Sequence, residues 1–404
     1  MIARSLAERL AELRSQLPAG PPRPATEERA GILARWFEAR VELTDGGATV
    51  VVERRVGLPA AEARALAAVP TTAYLDTETT GLSSGVGTVP FLAGVGVVDG
   101  DSLVLRQLLL PDYPHERALL RRLCGELASR PRMVTYNGRG FDLPLLVTRL
   151  TMHGFFSEQA SLPAQHDDLL PVARRLWRRV VGGARLAEIE QAVLGVRRTL
   201  DCPSAEVPAR YFGYLRDGSP EPLAAVLDHN LQDIVSLARL DATVLLLRAG
   251  GWRTAWPIDH GGLALELLRS GDVDSAGSVL EHALAASERH EGYRLRRMAT
   301  RLLVAAGEVD RAESIWREGT RAGSLEAAWS WIEVARLRER LRGDLRGALD
   351  AASAADRVLD IAFALGRGGG MQEIGRARLV VRRRLRRLKR WVAAAERRLG
   401  RAAA

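Results

Sequence analysis

The stretch that most restricts how this chain can fold is TTAYLDTETTGL (71–82). Its first residues suit a buried strand, yet two acids stand near its end. Residues i and i+2 of a strand project from one face, so Asp76 and Glu78 leave the backbone side by side. Two ionised carboxylates that close repel each other, and burying them uncompensated is costly. A divalent cation resolves the conflict, because Mg2+ and Mn2+ prefer oxygen ligands and keep positions open for water and phosphate. In the plainer reading one acid caps the following loop and its neighbour faces solvent. The D-x-E pair alone does not choose.

From residue 71 onward the pattern is α/β. PFLAGVGVV (90–98) reads as a second strand, and Asp99-Gly100 turns it into SLVLRQLLL (102–110). A helix over 114–129 leads to RMVTYN (132–137), another strand. A helix beginning near Phe141 follows, then a short strand near 163–167 and helices to about 195. The Pro- and Gly-rich stretch 196–219 reads as irregular, and a long helix over 220–249 closes the region. Ahead of residue 71 the sequence predicts an amphipathic helix over 2–17, the Pro-rich linker PAGPPRPA (18–25), a short helix near 26–39, and a hairpin turned by Asp45-Gly46-Gly47.

Beyond 250 the signal is helical and repetitive. Gly271, Gly307 and Gly343 recur every 36 residues, as do Ala276, Ala312 and Ala348. A turn glycine followed five residues later by a small packing residue suits stacked helical hairpins, and the period is close to that of tetratricopeptide repeats. Trp316, Trp329 and Trp331 are expected in the core of these hairpins. GRGGG (366–370) breaks the pattern before an arginine-rich terminal helix. The expected organisation is therefore an N-terminal helix, linker and hairpin over 1–70, an α/β domain over 71–249, helical repeats over 250–365, and a Gly-rich break with a basic helix over 366–404.

Two further stretches bear on the acids. VTYNGRGFDLPLL (134–146) ends a strand and puts Asp142 at the start of a helix, where an acid also complements the helix dipole. LDHNLQDIVSL (227–237) puts His229 and Asp233 four residues apart, on one helix face. The ordered set Asp76, Glu78, Asp142 and Asp233, with His229, resembles the DEDD exonucleases of the ribonuclease-H-like fold. Residues 71–240 look more closely like the YprB-type bacterial family of predicted nucleases, with GTVPFLAGVG, HDDLLPVARRLW, RLAEIEQAVLGVRR and HNLQDIVSLARL adding to the likeness. Such proteins often carry a tetratricopeptide-like extension, which matches residues 260–365.

The resemblance implies a central mixed sheet flanked by helices, followed by an all-α repeat domain. It also implies two-metal phosphodiester hydrolysis with Mg2+ or Mn2+, most naturally as a 3′→5′ exonuclease on single-stranded DNA or RNA. Asp76 would then bridge both ions, Glu78 and Asp233 would complete the nucleophile-side site, and Asp142 would hold the second ion largely through water. His229 would be the general base. The four-residue spacing of His229 and Asp233 departs from the five-residue spacing of the histidine branch, and one residue is about 100° around a helix. Thr79, Asn137 and Phe141 are expected to shape the site or touch substrate. Asp168 is expected to cap the helix that starts at Leu169. The other reading is a catalytically silent module that binds nucleic acid or acts as a scaffold through its repeats.

Charge decides where a polyanion would be met. Residues 374–404 carry twelve Arg or Lys against one acid, whereas 71–249 carry 19 basic and 20 acidic residues. The basic tail, with Leu379, Val380, Leu385, Leu388 and Trp391 among its arginines, reads either as a nucleic-acid-binding helix or as an amphipathic cap on the repeats; the two are compatible. The repeats are expected to bind a protein partner or to pack within the molecule. No run reaches the roughly 18 apolar residues of a membrane span, and charges thread through the first residues, unlike a secretory signal. Two separated cysteines fit neither a disulfide framework nor a zinc site, so the cytoplasm is the expected setting.

Overall fold

The computed structural model describes residues 26–81, 85, 87–198, 202–254, 257–286, 289–320, 324–366 and 370–402. The expected helix over 2–17 and the linker over 18–25 lie outside these residues, as do 82–84 and 86 of the turn after TTAYLDTET. The chain divides into two units, at residue 257.

The first unit is built on seven strands: β1 (Arg40–Thr44), β2 (Gly47–Gly57), β3 (Thr72–Thr79), β4 (Pro90–Asp99), β5 (Ser102–Leu109), β6 (Arg132–Thr135) and β7 (Gln165–Asp168). They form one mixed sheet in the order β1-β2-β5-β4-β3-β6-β7. The hairpin and meander pair antiparallel, while β3, β6 and β7 are parallel and joined through helices. The β1–β2 hairpin thus extends the same sheet as the strands after residue 71, through β2 paired with β5. Central β4 is buried from Pro90 to Val97, as expected of a strand covered on both faces.

Seven main helices accompany the sheet: α1 (Thr26–Trp36), α2 (Ala60–Ala67), α3 (Glu116–Ala128), α4 (Asp142–Met152), α5 (Leu169–Leu176), α6 (Val207–Asp217) and α7 (Glu221–Arg248). Leu119, Leu120 and Leu123 of α3, with Leu146 and Leu150 of α4, share a core with Ala73 and Leu75 of β3. Helix α7 takes the other face of β3. There Tyr74 donates its hydroxyl to Asp241 at 2.9 Å, and Arg132 of β6 donates to both oxygens of Asp241 at 2.6 and 2.9 Å. This buried pair fixes the rotation of α7 about three turns away from Asn230.

The segment 196–219, expected to be irregular, contains α6. Pro208 stands in its first turn, where the absent N–H costs nothing. Burial completes the helix: the Tyr211 ring stacks on Phe91 at 4.2 Å, and the Tyr211 and Tyr214 hydroxyls donate to the carbonyls of Leu110 and Pro111.

The second unit is helical: α8 (His260–Arg269), α9 (Val273–Ala286), α10 (Arg289–Ala305), α11 (Val309–Gly319), α12 (Ser324–Leu337), α13 (Leu345–Leu365) and α14 (Met371–Ala402). The 36-residue spacing is explained by its turns. Gly271, Gly307 and Gly343 adopt φ of 85°, 79° and 66°, a left-handed conformation that glycine takes without steric cost. Ala276, Ala312 and Ala348 are each fully buried against the neighbouring helices. Trp316 is fully buried, and Trp329 and Trp331 pack partly buried against the same cluster.

Helix α14 buries Ile374, Ala377, Val381, Leu385 and Leu388, a 3–4 spacing that defines one face. Leu379, Val380 and Trp391, expected in the same apolar series, fall off that face and are exposed. Several tail arginines are ion-paired: Arg378 and Arg382 with Asp360, and Arg384 and Arg387 with Glu339.

Candidate active site

Strand alternation sends Tyr74, Asp76 and Glu78 toward α7 and Thr77 to the opposite face. The register of β3 against β4 shifts at Glu78/Thr79, a bulge that ends the regular pairing beside the second acid. From α7, Asn230 donates to the Asp76 side chain at 2.8 Å and to its carbonyl at 3.3 Å. Gln107 of β5 donates to Asn230 Oδ1 at 3.0 Å and to the carbonyl of Leu227 at 2.7 Å, so the Asn230 amide is held from both sides. On the other face, the Thr77 hydroxyl donates to Asp142 Oδ1 at the start of α4.

His229 and Asp233 reach the acids from α7. His229 Nε2 lies 3.9 Å from Glu78 Oε1 and 3.7 Å from Asp233 Oδ2. The four-residue spacing thus still brings the imidazole to the carboxylates. Arg198 donates to Asp233 and places Nη1 3.1 Å from His229 Nδ1. Its Nε and Nη2 bind Glu190 at 2.6 and 2.8 Å, and Glu190 is 1% exposed.

The electrostatics follow from this crowding. Burial first, then the charges of Asp233, Glu78 and Asp142, hold the Asp76 carboxyl well above the ordinary range. Glu78 is pushed up to about 8 by burial and by Asp233 and Asp142, with Arg198 opposing. Asp142 rises to about 6, again chiefly through burial, although the Thr77 hydrogen bond favours its charged form. Burial raises Asp233 as well, and Arg198 restrains the rise. Four acids therefore resist sharing the site in ionised form.

The remaining candidates shape loops. Thr79 donates its hydroxyl to the carbonyl of Gly81 at 2.6 Å. Asn137 takes a left-handed φ of 68°, and its carbonyl accepts from Gly140 and Phe141 at 3.0 and 3.1 Å. Phe141 immediately precedes α4 and is half-buried. Asp168 caps α5 through Leu170 at 3.0 Å and accepts the Asn137 amide at 2.8 Å. Sequence reasoning passed over Asn230, Gln107, Arg198 and Glu190. Only Asn230 left a signal, as a polar residue on the buried α7 stripe that continues through Ile234, Leu237 and Asp241.

Among the described residues, no group of three or more His, Cys, Asp or Glu side chains stands ready to hold an ion. The donor chemistry nevertheless fits Mg2+ or Mn2+: the acids supply only oxygen, they are crowded and largely buried, and their raised pKa values measure an unmet demand for positive charge.

Residues 73–245 match the family model of the RNase_H superfamily. This stretch is an RNase_H superfamily domain with a nuclease-type fold. Over 168 residues the chain is 39% identical to the uncharacterized protein YprB of Bacillus subtilis (strain 168), covering 41% of this chain. The chain spans 40% of the length of that curated relative.

Proposed function

We propose that this protein is a metal-dependent nuclease of the DEDD type, hydrolysing phosphodiester bonds of single-stranded DNA or RNA from the 3′ end. One observation carries the reading: Asp76, Glu78, Asp142 and Asp233, from three separate segments, crowd together in a site whose electrostatics call for cations. In this reading the four carboxylates hold two divalent cations. When bound, these would stabilise charge building on the phosphate and lower the pKa of the attacking water.

The chain's own contribution is positioning. Asn230, backed by Gln107, sets the Asp76 rotamer; Thr77 sets Asp142; Arg198 sets Asp233. Such outer partners typically contribute roughly 10–100-fold in metal affinity or activity. The helical unit would offer a surface to nucleic acid or to a protein partner.

The test uses 3′-labelled single-stranded DNA and RNA of matched sequence, each with Mg2+ and Mn2+. Wild type is expected to shorten at least one polymer from its 3′ end, and Asp76→Ala to abolish this. Identical behaviour of wild type and variant with both polymers and both metals would leave a silent binding module instead.

A further inference from the structure

The Arg198–His229 contact fixes more than geometry. A guanidinium has five N–H donors and no acceptor. Arg198 faces His229 Nδ1 with Nη1 at 3.1 Å, so Nδ1 must present its lone pair. The ring proton then resides on Nε2. The opposite edge agrees, because Nε2 faces the carboxylate oxygens of Glu78 and Asp233 at 3.9 and 3.7 Å, groups that accept when ionised.

Arg198 has little freedom to do otherwise. Its Nε and Nη2 are committed to the two oxygens of Glu190, a bidentate pairing that fixes the guanidinium plane. Glu190 is 1% exposed and sits where a turn of π-helix (Glu190–Leu194) follows the short helix Leu186–Ile189. With that edge anchored, the remaining N–H groups point at Asp233 and His229. A lysine, with one ammonium centre, could not span the three partners.

We propose that Arg198, anchored by Glu190, is a positioning residue that locks His229 in its Nε2–H tautomer, so that His229 enters the site as a hydrogen-bond donor to an anionic substrate oxygen and not as the general base. The proposal rests on the nuclease reading for its catalytic meaning, but the tautomer itself does not depend on it. The base role implied by the histidine branch needs an Nε2 lone pair, and Arg198 holds that lone pair on the far nitrogen.

The direct test is long-range 1H–15N NMR of the full chain labelled at histidine, with His229→Gln assigning the resonances. Wild type is expected to show Nδ1 unprotonated and Nε2 protonated. Arg198→Met alone strands Glu190 as a buried unpaired charge, so the double variant Arg198→Met/Glu190→Gln is used, and it should show a mixture of tautomers. An Nδ1–H tautomer in wild type, or an unchanged tautomer in the double variant, overturns the proposal. Activity gives a second arm. The glutamine amide reproduces an Nε2 donor but no base, so His229→Gln should stay within about tenfold of wild type while His229→Ala falls further. If His229→Gln loses the roughly 10²–10⁴-fold typical of a deleted general base, the donor role is wrong. Should wild type degrade nothing, the nuclease reading fails and the NMR arm still decides the tautomer.

Discussion

Glu78 is 9% exposed among three other acids, and burial with their charge pushes its carboxyl up to about 8 from an ordinary 4.5. Between those values the folded protein holds a proton that the unfolded chain has released. The stability that proton confers is full at low pH and is lost as pH rises from about 4.5 through about 8. With divalent metal chelated, unfolding free energy should therefore fall across that window, by up to about 1.4 kcal/mol per pH unit for each such proton. Thermal unfolding with chelator near pH 5 and near pH 8 checks this, and Glu78→Gln should flatten the decline. Adding Mn2+ near pH 8 should raise the Tm of wild type more than that of the variant. A wild-type Tm that climbs with pH in chelator would contradict the crowded-acid account. The four acids were legible in the sequence because their spacing is local, one strand repeat or one helix turn. Arg198 was not, since its partners Glu190, His229 and Asp233 come together only through the path of the loop after residue 194.

Elements bring the acids together only because β4 lets α7 come close. Gly94 pairs with Asp76 across the sheet, and a Cβ there would collide with Asn230 Oδ1 and Ile234 Cδ1. Two residues on, a Cβ at Gly96 would stand 2.6 Å from Ile234 Cγ2. Glycine inside a strand often marks such an approach. Gly94→Ala should cost about 1–3 kcal/mol as overpacking, and it should lower nuclease activity by displacing Asn230 from Asp76. Gly57→Ala, where a Cβ meets nothing within 4 Å, is the matched control. Chemical denaturation and the strand-degradation assay read the two effects; equal behaviour of both variants would show that α7 tolerates displacement. The meander was legible through its apolar runs and its Asp-Gly turn. Helix α6 was not, because its Pro and Gly content hides a helix held by the burial of Tyr211 and Tyr214 against the meander and the turn that follows it.

Across the whole molecule, charge is divided between the two units. Residues 258–404 carry 28 basic and 20 acidic residues, whereas 1–257 carry 30 and 29. Near-neutral surroundings steer a polyanion poorly, so the helical unit is where long-range attraction would arise. The tail arginines fall into two classes. Arg384 and Arg387 pair with Glu339, which is largely buried, and their loss should destabilise the helical unit. Arg376, Arg383, Arg390 and Arg397 recur every seven residues on exposed positions of α14, with Arg386 beside them, and no acidic partner is found for them among the described residues. Replacing Arg383, Arg386 and Arg390 by Gln should leave stability within about 0.5 kcal/mol, as for other surface changes. If each meets a phosphate of a single strand, the slope of log K against log salt should become shallower by about 2. Deleting the whole helix would be a poorer experiment, since it also uncovers the core that Ile374, Val381 and Leu388 complete. Fluorescence anisotropy with labelled single-stranded DNA and RNA across a salt series measures the slope directly. A slope unchanged by the triple substitution would take α14 out of the binding surface and leave it as the cap of the helical stack.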